Sequence, residues 1–143
     1  MTVFLSTYEK KIDKKGRVST PNTFRNILIN ENFNGFIAFK SYYLPTIDCF
    51  SMSKIEKLSK SMEADNPFLE STNNFNENIF ADAFMINFDN EGRCILSEEL
   101  LEHAKIEGGD LVFTGKGSSF QIWNPILFNE HQINMRQRIK KEI

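Results

Sequence analysis

No apolar run in this sequence is long enough to cross a membrane: "GFIAF" (35–39) is among the longest, where a span needs roughly 18 residues. A membrane partner is therefore not expected. Cysteine is scarce, with Cys49 and Cys94 alone and no C-x-x-C spacing, which argues against a disulfide framework and against a zinc site. Two buried thiols in a cytosolic protein are expected instead. The two histidines, His103 and His131, fall on expected helices without a ligand cluster, so no metal and no cofactor are indicated. A convergent base and nucleophile are also missing, and an enzyme is not expected. "TGKGSS" (114–119) lacks the GxxxxGK[ST] spacing of a phosphate loop and reads as a turn between strands. The opening "MTVFLSTYEKK" lacks the basic start, long apolar stretch and cleavage site of a secretory leader, so a cytoplasmic location is expected.

Nor is there a strong overall charge. The net value is −2, with 41% hydrophobic and 25% charged residues, an ordinary globular composition for one domain of 143 residues. The charge is unevenly placed, however. Residues 1–25 hold six basic side chains (Lys10, Lys11, Lys14, Lys15, Arg17, Arg25) against Glu9 and Asp13. Residues 136–143 hold four against Glu142, and the stretch between carries a net negative charge. Screening confines each charge to roughly 10 Å, so a basic patch on an acidic body still attracts a polyanion.

What the sequence does contain is a repeat. "IDKKGRVSTPNTFRNIL" (12–28) and "FDNEGRCILSEELLEHA" (88–104) share an apolar residue before Asp, then Gly and Arg at matching places. Each is followed by an alternating strand, "GFIAFKSYY" (35–43) or "GDLVFTGKG" (109–117), and by a second, "TIDCFSM" (46–52) or "SFQIWNP" (119–125). Asp13 and Gly16, like Asp89 and Gly92, suit the first and fourth positions of a type I turn closed by a glycine. "YEKKI" and "RVS" become the arms of a hairpin, with Tyr8, Ile12 and Val18 facing the core. Thr20 is expected to cap a helix with Pro21 at its first position, and Ser97 to cap the second copy. Residues 51–65 read as an amphipathic helix capped by Ser53, 66–84 as a further helix on apolar spacing, and 128–143 as a closing helix, apolar early and basic late.

These residues resemble the MraZ family of bacterial transcriptional regulators. The resemblance rests on "FLSTYEKKIDKKGRVSTPNTFRNIL" and on "INFDNEGRCILSEELLEHAKIEGGDLVFTGKGSSFQIWNP", and it covers nearly the whole chain. It implies an α+β fold in which two AbrB-like units, each hairpin–helix–hairpin, form one pseudo-two-fold small β-barrel with flanking helices. The units are expected at 7–53 and 83–126, with a helical connector at 54–82 and a C-terminal helix at 127–143. It also implies a ring homo-oligomer on the nucleoid that binds closely spaced direct repeats in double-stranded DNA upstream of a cell-division and cell-wall gene cluster, with repression as the expected outcome. The family usually has proline and arginine where this chain has Ser97 and Leu101, and glycine where it has Ser6.

Within that frame Arg17 is the expected base-reading residue, since a guanidinium reaches guanine O6 and N7 with two hydrogen bonds. Lys10, Lys11, Lys14 and Lys15 are expected on phosphates, with Arg25 nearby on the helix. Asp89, Gly92 and Arg93 are read as a structural twin of the first turn, because residues 77–101 set six acids against Arg93 alone. The alternative is a ring-forming protein-interaction module that does not touch DNA.

Overall fold

The structure is a computed structural model and describes residues 3–64 and 78–142. Both Asp-x-x-Gly-Arg segments turn a hairpin: β1 (Thr7–Ile12) leads into β2 (Arg17–Ser19), and β5 (Phe84–Asn87) into β6 (Arg93–Ile95). Each is followed by a helix, α1 (Asn22–Asn30) or α3 (Glu98–His103), and then by a strand pair, β3 (Gly35–Lys40) with β4 (Ile47–Phe50) or β7 (Gly109–Gly115) with β8 (Phe120–Trp123). Between the copies runs α2 (Met52–Ala64), and α4 (Pro125–Glu142) closes the chain.

The copies do not form separate bodies. They interlock in one antiparallel eight-stranded sheet of order β5-β3-β4-β8-β7-β1-β2-β6. Its two outer strands are joined by the Asp89–Arg93 turn, so the sheet curls into a nearly closed barrel and leaves little free edge. The registers repeat under a pseudo-two-fold axis: Lys10 lies opposite Leu111 as Ile86 lies opposite Phe36. Val18 faces Cys94 on that axis at one side of the barrel, and Asp48 faces Gln121 at the other. The expected α+β fold, a pseudo-two-fold small β-barrel with flanking helices, is the observed one.

The interior is aromatic. Phe24 of α1 stacks at 5.0 Å on Phe120, which also meets Phe4 at 5.1 Å and Phe36 at 5.3 Å. Leu100 of α3, the counterpart of Phe24, is likewise fully buried. Each such side chain contributes ~1.5–3 kcal/mol by leaving water, and together they clamp the barrel that carries the two turns.

Two caps differ from expectation. Pro21, not Thr20, is the N-cap of α1, and it offers no side-chain bond. Pairing of β2 with β6 draws Thr20 inward, where its hydroxyl lies 3.7 Å from Cys94 Sγ. Ser97 does cap α3 through the Leu100 amide, but Ser51, not Ser53, accepts the Lys54 amide at the start of α2. The helix expected over 66–84 falls largely outside the described residues; a helical turn covers 78–81, and β5 begins at Phe84. The closing helix starts earlier than expected, at Pro125, because the Asn124 side chain accepts the amides of Ile126 and Leu127. Ser6, where the family favours glycine, adopts φ 76°.

Candidate nucleic-acid interface

The first turn is built from its own backbone. Gly16 donates to the Asp13 carbonyl at 3.1 Å, and Asp13 to the Arg17 carbonyl at 3.0 Å. A φ of 82° at Gly16 makes the closure possible. Asp13 Oδ1 then accepts the amides of Lys15 and Arg17, both at 2.9 Å, while Oδ2 takes Arg17 Nε at 2.7 Å. These bonds, the Arg17 amide foremost and then its side chain, hold the Asp13 carboxyl below its usual range. The second turn repeats the scheme: Asp89 accepts from the amides of Glu91 and Arg93 and from Arg93 Nε at 2.9 Å.

In both turns the aspartate therefore engages Nε and leaves the terminal nitrogens of the guanidinium unbound to it. The turns differ at those nitrogens. Arg93 Nη2 lies 3.4 Å from the Glu91 carboxylate, and the Asp89 hydrogen bond, followed by the Asp89 and Glu91 charges, raises its pKa. Lys15 occupies the equivalent place beside Arg17, whose terminal nitrogens have no acceptor among the described residues. A guanidinium fixed by Nε with its fork free is set for two-bond recognition of a planar acceptor pair.

The barrel brings these two arginines together. Antiparallel pairing sets Arg17 opposite Ile95 and Ser19 opposite Arg93. Val18 and Cys94 point inward and are buried, so Arg17, Ser19, Arg93 and Ile95 share the outer face of a short two-stranded ribbon. Two residues of strand separate the arginines along it, roughly 7 Å. Ile95, directly opposite Arg17, is 63% exposed. The sequence reading did not single out Ile95 or Ser19; their alternation with buried Val18 and Cys94 was the available sign.

The other expected residues divide. Lys14 and Lys15 are exposed at the tip of the first turn, and Lys11 is exposed on β1. Lys10 shares the inward row of β1 with Tyr8 and Ile12 and is half-buried. Arg25 does not join the first turn. Its guanidinium lies over the second, where a Cβ on Gly92 would collide with it. The interlocked topology is the cause, since each helix packs beside the other copy's turn. Beside the first turn stands Leu101 of α3, in the place that Arg25 holds beside the second.

Among the described residues, no group of three or more His, Cys, Asp or Glu could hold a metal, and no helix is long and apolar enough to cross a membrane. A family profile described as "MraZ protein, putative antitoxin-like" matches residues 79–141. A "Transcriptional regulator MraZ" from Pelagibacter ubique (strain HTCC1062) is 46% identical over 136 residues, covering 95% of this chain and 87% of that protein. Proteins of the same name from Rickettsia felis and Rickettsia rickettsii are 42% identical over 142 residues, covering 99% of this chain and 94% of theirs. With paired Asp-x-x-Gly-Arg turns on one interlocked barrel and this likeness along nearly its full length, the chain belongs to the MraZ family of transcriptional regulators.

Proposed function

We propose that this protein regulates transcription by binding spaced direct repeats in double-stranded DNA as a ring of identical chains, repressing its own cell-division and cell-wall gene cluster by occupying the promoter. The observation that carries the reading is the fork of Arg17, without an acceptor among the described residues, held by Asp13 through Nε and flanked by the exposed Lys14 and Lys15. Arg17 reads guanine in the major groove, and one good two-bond contact discriminates by ~1–3 kcal/mol. Lys11, Lys14 and Lys15 meet phosphates and set register, and Lys10 reaches them only with its tip. Arg93, drawn to Glu91, stays chiefly structural. One ribbon alone binds weakly and in a salt-sensitive way; copies joined in a ring and matched to repeated sites gain ~10²–10⁴-fold in avidity.

The test is gel retardation on DNA from upstream of the gene, with wild type, Arg17→Ala and Arg93→Ala side by side. Arg17→Ala is expected to abolish specific retardation with fold and assembly intact, and Arg93→Ala to weaken it slightly. Loss in Arg93→Ala with Arg17→Ala unaffected would reverse the assignment of the two turns.

A further inference from the structure

The two turns are twins in backbone but not in what covers them. Over the second, the Arg25 guanidinium occupies the space above Gly92. At the first, the position equivalent to Arg25 is Leu101, and a cavity of about 680 Å³ stands open beside Gly16. Its floor is Ile12, Leu101 and Ile106; its rim carries Glu98, Glu102 and Glu107 against Lys14 and Lys105. The Asp13 carboxylate, also on the wall, is committed to its own turn. The site is thus apolar beneath and acidic around, and at the twin turn an arginine lies over the glycine.

The complement is at the other end of the chain. Helix α4 buries none of its residues fully. Phe128 and His131 stack on Trp123, and the same helical face continues through Met135 and Ile139, which are 38% and 52% exposed. Arg136 and Arg138 project on either side of that stripe, and neither makes an ion pair among the described residues. Met135 borders a groove on its own barrel beside Lys116 and Trp123, while Ile139 beyond it is half-exposed, so the stripe flanked by arginines offers an amphipathic face that a second surface can cover.

We infer that this end of α4 docks into the cavity beneath the Asp13–Arg17 turn of a second copy. Met135 and Ile139 lie on Leu101 and Ile106, and Arg136 and Arg138 pair with Glu98 and Glu102, supplying the guanidinium that Arg25 supplies at the twin turn. The contact joins two different surfaces, head to tail, and such contacts close into rings when the rotation allows. It buttresses the DNA-reading turn of each copy with the tail of its neighbour. A tail that held phosphates instead would have no use for an apolar stripe between its arginines.

This rests on the multi-copy assembly proposed above, and sedimentation of the full chain without DNA separates the two ideas. Four proteins are compared: wild type, Arg136→Glu/Arg138→Glu, Glu98→Lys/Glu102→Lys, and the four changes combined, each checked for an unchanged circular-dichroism spectrum. Either pair alone is expected to weaken assembly at least tenfold, and the combination to restore it. Wild type sedimenting as a single chain would overturn the assembly reading and this contact with it. An assembled wild type with both half-variants unchanged would overturn the contact alone, as would a combination that fails to restore assembly while its circular-dichroism spectrum is unchanged. Loss of DNA affinity by the Arg136→Glu/Arg138→Glu protein with assembly unchanged would assign those arginines to phosphates and equally overturn it.

Discussion

Alanine at Gly16 and alanine at Gly92 are the same substitution in turns of the same geometry, yet they are expected to cost different amounts. Both glycines have a positive φ, 82° and 76°, which an L-residue tolerates at ~1–2 kcal/mol. The difference lies in what the new methyl group meets. At Gly16 it would come within 2.6 Å of the Leu96 carbonyl oxygen, which belongs to the backbone and cannot swing aside. Relief requires parting the strands where the Leu96 amide bonds to the Gly16 carbonyl at 2.9 Å, a further loss of ~1 kcal/mol. Gly16→Ala should then destabilise by about 2–3 kcal/mol. At Gly92 the methyl meets the end of the Arg25 side chain, which yields by moving into solvent, so the cost is the backbone part of ~1–2 kcal/mol plus the smaller loss of Arg25 packing. Urea unfolding at one fixed protein concentration measures both, and the gap of roughly 1 kcal/mol is the quantity to read. In an Arg25→Ala background the Gly92→Ala cost should fall towards its backbone part, while the Gly16→Ala cost should not move. Equal costs for the two glycines, or a Gly92→Ala cost indifferent to Arg25, would refute the swapped packing of helices over turns.

Further outcomes follow from the same geometry. Arg17→Lys should keep a similar salt dependence while losing preference for the cognate repeat in competition with random DNA, because an ammonium lacks the fork. The Asp13 and Asp89 carboxyls, both lowered by bonds to the following arginine's amide and side chain, are stabilising above the ordinary carboxylate range and lose that contribution only as pH falls through their lowered values. Carbon-detected NMR titration should place both midpoints below that of an ordinary aspartate. Ser6→Gly should raise stability by ~0.5–1 kcal/mol, read by the same urea curves, since Ser6 already holds the left-handed conformation. Burial lifts the Cys94 thiol to about 11, so stability should decline as pH rises from the ordinary thiol value towards 11, and thiol reagents at pH 8 should label the unfolded chain only.

Much of this architecture was legible along the chain. A turn is made by four or five neighbouring residues, so Asp13 to Arg17 and Asp89 to Arg93 announce their hairpins locally, and the spacing of Phe24, Ile27 and Leu28 announces a helix in the same way. Caps were less legible: Thr20 is an apt capping residue by type, and only the pairing of β2 with β6 takes it away from α1. The partition of the site was not legible at all. By sequence distance Arg25 belongs with Arg17, yet the strands of the two copies alternate around one barrel, which carries each helix across to the other copy's turn. Local sequence thus dictates the elements, because their hydrogen bonds close within a few residues. Which charges share a surface depends on pairings between residues far apart in the chain, and only the closed barrel settles those.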